Sequence, residues 1–118
     1  MRITQAFHFE AAHRLPRVPQ THRCHRLHGH SYRVELELVG DVDPDTGFVV
    51  DFFDVEAAFG PLLARLDHHY LNEVEGLENP TAELIAMWIF ERARAALPQL
   101  AKVRVYETPD CWAEFDGG

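Results

Sequence analysis

Between Tyr32 and Leu38 the chain alternates strictly. Tyr32, Val34, Leu36 and Leu38 are apolar, and Arg33, Glu35 and Glu37 between them are charged. A period of two belongs to a pleated strand, whose successive side chains leave opposite faces. Such a strand buries one face and leaves the other polar, so it calls for an apolar layer on one side only. An all-helical fold is excluded, and so is a parallel sheet covered on both faces. The run extends from about residue 28 to 40.

The rest of the chain has to supply the covering layer and the neighbouring strands. Residues 2–10 (RITQAFHFE) place Ile3, Phe7 and Phe9 on one face of a second strand. A loop with Pro and Arg, 14–27, connects the two. After residue 40, DVDPDTG has turn chemistry, with Asp-Pro and a Gly tolerant of positive φ. FVVD then reads as a returning strand, so that 28–52 forms a hairpin. Asp51 or Asp54 can cap a helix whose apolar face is Val55, Phe59, Leu62, Leu63 and Leu66, with Gly60-Pro61 kinking or shortening it. A second helix opens at NPTAE, with Asn79 as cap and Pro80 as first residue, and buries Leu84, Ile85, Trp88 and Ile89 before Pro98. KVRVYET and CWAEF alternate as closing strands. The order is ββααββ, an α+β fold with a four-stranded antiparallel sheet and two helices on one face. The edges of such a sheet are unpaired, a state that neighbouring copies of the chain can complete.

At 118 residues the chain is expected to be one domain, 1–118, with little core to spare. No apolar run approaches the roughly 18 residues of a membrane span, and the start lacks the apolar core of a secretory signal. With two cysteines only, free thiols are expected rather than a disulfide framework, and the chain reads as cytoplasmic. A net charge of −8 argues against general nucleic-acid binding. Its distribution is uneven: from Ala11 to Val34 there is no Asp or Glu, while Arg14, Arg17, Arg23, Arg26 and Arg33 lie there with five histidines. This segment is either a solvated loop or a site for an anionic small molecule such as a phosphate ester, whose oxygens guanidinium groups bind bidentately.

Within that segment stands CHRLHGH, Cys24 to His30. His28 and His30 are two apart at a strand start, so both imidazoles leave one face and can meet at one ion. His13, at the end of the preceding strand, is the best third ligand. Three histidines leave a fourth position open on zinc, the arrangement of catalytic rather than structural sites. The bland alternative is a polar loop that happens to be rich in histidine. A cupin barrel is disfavoured, because position 22 is His where that motif wants Gly and the chain has too few strands. Cys24 sits among Arg23, His25 and Arg26, a positive setting suited to a reactive sulfur. Glu107 shares a strand face with Val103 and Val105, where a carboxylate is costly unless paired.

FEAAHRLP, CHRLHGHSY, GFVVDF, LDHHYLN, NPTAE and VYET together resemble the 6-pyruvoyltetrahydropterin synthase superfamily, in order and spacing and over nearly the whole chain. The three-residue spacer between Cys24 and His28 is similar to that of the bacterial 6-carboxy-5,6,7,8-tetrahydropterin synthase branch. The resemblance implies the tunnelling fold, in which trimers close a barrel and stack into homohexamers with sites between subunits. It implies a zinc-dependent lyase acting on 7,8-dihydroneopterin triphosphate in queuosine biosynthesis; pyruvoyltetrahydropterin synthase activity and a non-catalytic zinc or pterin-binding module are the alternatives. By position, it implies His13, His28 and His30 as zinc ligands and Cys24 as the proton-abstracting residue. Asp67 and His68 become an acid/base pair, with His69 as a competitor for His68. Glu107 becomes the anchor of the pterin ring, and Arg26 and Thr81 further substrate contacts.

Overall fold

The computed structural model describes all residues, 1–118. The alternating run lies in a strand of twelve residues, β2 (His28–Val39), which pairs antiparallel with β1 (Arg2–His13) from Arg2↔Val39 to His13↔His28 without a break. Next come α1 (Phe52–Leu66), a two-residue β3 (His69–Tyr70), α2 (Ala82–Ala93), β4 (Leu100–Thr108) and β5 (Cys111–Phe115). The sheet order is β3-β1-β2-β4-β5, antiparallel except where β3 runs parallel to β1.

The alternation decides the layering as expected. Tyr32, Val34, Leu36 and Leu38 are fully buried, with Phe9, Val103 and Val105 on the same face. Against them α1 packs Val55, Phe59 and Leu66, and α2 packs Ile85, Ala86 and Ile89. Each such side chain contributes about 1.5–3 kcal/mol by leaving water. The opposite face carries charge pairs across strands: Arg104 reaches Glu37 at 3.1 Å and Glu114 at 2.7 Å, and Lys102 reaches Glu114 at 3.1 Å.

Several expectations need correction. The sheet has five strands, because the residues after α1 add β3 to the edge of β1. FVVD is not a strand. Both edges of β2 are already taken by β1 and β4, so residues 48–51 cannot close a hairpin with it; instead the Asp51 carboxylate accepts the Phe53 N–H (2.9 Å) and starts α1. Pro61 stays inside an unbroken helix, since packing of the helix's apolar face outweighs one lost hydrogen bond. α2 is capped by Thr81, whose hydroxyl accepts the Leu84 N–H at 3.1 Å, rather than by Asn79. Leu84 is only half-buried. The sheet is open, with residues 2–9 of β1 lacking a strand on one side and β5 lacking one on the other.

Candidate metal and pterin site

At the end of the β1–β2 ladder, His13, His28 and His30 project from the core face, and their ligand atoms lie within 4.8 Å of one another. His13 Nδ1–H donates to the Pro80 carbonyl (2.8 Å), and His28 Nδ1–H to the Arg26 carbonyl (2.7 Å). Each ring therefore turns its Nε2 lone pair inward, and these two nitrogens stand 2.9 Å apart. Two acceptors at that distance repel unless a proton or a cation lies between them. A proton on His13 is disfavoured: burial, only partly offset by the Pro80 carbonyl, pushes it from 6.5 down to about 4, with His28 and His30 adding to the fall. His30 is lowered too, chiefly by burial and against the pull of Glu107, and its Nε2 is buried without a hydrogen-bond partner. Backbone-anchored tautomers, converging lone pairs and an orphaned ring nitrogen are what a zinc ion requires of three ligands.

Glu107 extends the same face of β4 as Val103 and Val105, and its charge acts on both His30 and Tyr32. Tyr32 is fully buried, and its hydroxyl lies 3.1 Å from His13 Nδ1. The carboxylate thus stands beside the histidine cluster.

Cys24 is half-exposed in a short 3-10 turn, Arg23–His25, and is not among the clustered ligands. Both of its backbone groups are held: the N–H by the His22 ring (3.0 Å), the carbonyl by the Leu15 N–H (2.8 Å). Arg26 is exposed, and its guanidinium makes no hydrogen bond or ion pair within the chain. The Thr81 hydroxyl is occupied as an acceptor by the helix cap, which leaves its proton free to donate.

Asp67 ends α1, and His68 follows in the left-handed region (φ 59°), the only non-glycine residue there. That turn brings His68 Nδ1 to 2.9 Å from Asp67 Oδ1. The same oxygen accepts the Glu10 N–H (2.9 Å), and the His68 N–H donates to the Glu10 carbonyl (2.6 Å). The Glu10 N–H first, and His68 second, hold the Asp67 carboxyl below the usual range. His69 bonds only the Asp67 backbone carbonyl (2.8 Å), so geometry favours His68 as the carboxylate's partner. Glu10, Ala12, Gly29 and Ser31, from the face opposite the three histidines, line a cleft of about 590 Å³ together with Ala11, His30, His68, His69 and Tyr70. Within one chain this cleft brings His68 to the end of the sheet where His30 also lies. A larger hollow of about 680 Å³, between β1 and α1 beside Phe53, is lined by none of the expected site residues.

Sequence reasoning missed Arg14, Asn72 and the Pro80 carbonyl as supports of this region. Asn72 lies in the LDHHYLN stretch, which was the available signal; a backbone carbonyl leaves none.

An open, one-face-covered sheet with three histidines converging at its end defines an α+β protein whose histidine cluster could hold a metal ion. The sequence model of the 6-pyruvoyl tetrahydropterin synthase family matches residues 2–118, and the chain belongs to that family. It is 45% identical over 112 residues to 6-carboxy-5,6,7,8-tetrahydropterin synthase of Synechocystis sp., covering 90% of this chain and 85% of that one. It is 34% identical over 103 residues to dihydroneopterin monophosphate aldolase of Pyrococcus furiosus, covering 87% and 83%. The structure of Caenorhabditis elegans 6-pyruvoyl tetrahydropterin synthase superposes with a TM-score of 0.92 at 28% identity, covering 100% of this chain and 96% of that one. No helix is long and apolar enough to cross a membrane.

Proposed function

We propose that this chain is a 6-carboxy-5,6,7,8-tetrahydropterin synthase, a zinc-dependent lyase. It converts 7,8-dihydroneopterin triphosphate and one water to 6-carboxy-5,6,7,8-tetrahydropterin, acetaldehyde and triphosphate, in the cytoplasm and on the route to queuosine. The observation that carries this reading is the convergence of the His13 and His28 lone pairs with His30, on the face that Glu107 shares. The Synechocystis relative supports the branch.

His13, His28 and His30 would hold the zinc, which when bound polarises substrate oxygens and acidifies the adjacent C–H. The Glu107 carboxylate accepts the paired N–H donors of the pterin ring. The Cys24 sulfur removes the carbon proton, in the role of a general base. His68, oriented by Asp67, moves protons among the side-chain oxygens. Arg26 and its neighbouring arginines offset the charge of the departing triphosphate, and the Thr81 O–H contributes a further contact. The open edges of the sheet support a complete site assembled between copies of the chain, in a homohexamer made of two trimers.

Incubation with 7,8-dihydroneopterin triphosphate, followed by mass spectrometry, tests this. The expected products are 6-carboxytetrahydropterin and acetaldehyde. A product that keeps its three-carbon side chain would move the chain to the pyruvoyl branch, and an unconsumed substrate would sink the enzymatic reading.

A further inference from the structure

The loop that carries Cys24 contains no α-helix or strand, and the core does not cover it. What fixes the thiol in place? Its contacts lead back to two residues given no role at the reacting atoms above, Arg14 and Asn72.

Asn72 lies in a short 3-10 turn, Leu71–Glu73, directly after β3. Its carboxamide reads both backbone groups of Arg14: Oδ1 accepts the Arg14 N–H (2.9 Å), and Nδ2 donates to the Arg14 carbonyl (2.8 Å). β3 pairs with β1 only at Ala11 and Ala12. The side chain of Asn72 thus continues the ladder beyond the last strand pair, with one amide acting as a strand residue would. A weaker bond, 3.4 Å from Nδ2 to the Glu78 carbonyl, ties in the segment that leads to Pro80, the acceptor for His13.

With its backbone held, Arg14 sends its side chain to the thiol turn. Nε donates to the His25 carbonyl (3.3 Å), and Nη2 donates to His25 Nε2 (3.2 Å). The next residue, Leu15, donates its N–H to the Cys24 carbonyl (2.8 Å). Residues 14 and 15 therefore hold Cys24 and His25 at three points, and the same two residues follow His13 directly. A guanidinium fork suits this task, since two donors at fixed spacing set an orientation that a single ammonium does not.

We propose that Arg14 and Asn72 are positioning residues for the reaction. Asn72 fixes the Arg14 backbone, and the Arg14 guanidinium holds the Cys24–His25 turn so that the sulfur stands at a set distance from the histidine cluster. The proposal rests on the role assigned to Cys24 above. Proton transfer from carbon demands near-contact geometry, and a misplacement of about 1 Å is enough to lose roughly 100-fold in rate.

The test uses the zinc-loaded protein with Arg14→Ala, which leaves both Asn72 bonds to the backbone intact, and with Asn72→Asp, which removes the donor to the Arg14 carbonyl. Arg14→Lys serves should Arg14→Ala fail to fold, because it keeps the charge and the stem while losing the fork. Two readouts are taken: kcat and KM for dihydroneopterin triphosphate, and the rate at which iodoacetamide alkylates Cys24, resolved by mass spectrometry with exposed Cys111 as internal standard. In each variant kcat is expected to fall roughly 10- to 100-fold with KM nearly unchanged, while Cys24 alkylates several-fold faster and Cys111 does not change. Wild-type kcat together with wild-type alkylation would overturn the proposal. A raised KM with kcat retained would overturn it too, by making Arg14 a substrate contact. If wild-type protein shows no turnover, the functional reading fails by itself, and the alkylation rate still decides whether Arg14 holds the thiol turn.

Discussion

In the metal-free protein, His13 makes stability depend on pH in a window that its burial defines. The imidazole is 1% exposed and titrates near 4 instead of 6.5. Above 6.5 it is neutral in both the folded and the unfolded chain, and pH has no effect through it. Below about 4 it is protonated in both. Between these values only the unfolded chain takes up the proton, so stability is lost as pH falls from 6.5 towards 4. At about 1.4 kcal/mol for each pH unit, the whole window is worth about 3 kcal/mol and the step from pH 7 to pH 5 about 2 kcal/mol. Urea unfolding of chelator-treated protein at one protein concentration measures this, followed by the fluorescence of Trp88, which is buried between Arg65 and Arg92. His13→Gln is the comparison. It loses stability at every pH by giving up its bond to Pro80, but its change between pH 7 and pH 5 should be smaller than wild type by about 2 kcal/mol. His30 is also lowered and contributes in both proteins, so the difference isolates His13. Parallel pH dependences would refute the reasoning, since the desolvated imidazole would then not be the group that titrates.

Cys24→Ala should keep its zinc, measured by metal analysis, because the sulfur is outside the histidine cluster, and should lose turnover by about 10²–10⁴-fold as a missing general base does; loss of zinc would make the thiol a ligand. His68→Gly should abolish the carboxylate–imidazole pair and most of the turnover while leaving the melting temperature unchanged or raised, because a left-handed non-glycine residue costs about 1–2 kcal/mol that glycine does not; a clear fall in melting temperature would mean that the pair is structural. Sedimentation should return a mass several times 13.6 kDa, since both outer sides of the sheet lack partners, and an active monomer would contradict a site shared between copies.

The sequence determined a great deal because its periodicities are local. The alternation through Tyr32, Val34, Leu36 and Leu38 dictates which face is buried, and the spacing of His28 and His30 places two imidazoles on that face. Glu107 at the end of the Val103–Val105 row followed from the same rule. The expected strand pairing singled out His13 as the best third ligand, and the family motifs added the dyad positions, which no local spacing could supply. FVVD went astray because strand propensity says nothing of whether an edge is free, and β1 and β4 had already taken both edges of β2. Thr81 over Asn79 was a choice between two good caps only two residues apart. Tertiary structure alone decided the rest, since it depends on contacts between distant parts of the chain. The Pro80 carbonyl that sets the tautomer of His13 is 67 residues away, and the Asn72 amide that fixes Arg14 is 58 away. The left-handed turn at His68 is held by the Glu10 backbone, 57 residues before its partner Asp67. Local pattern placed the candidate site side chains on their elements; their tautomers, orientations and mutual distances came from groups that only folding brings near.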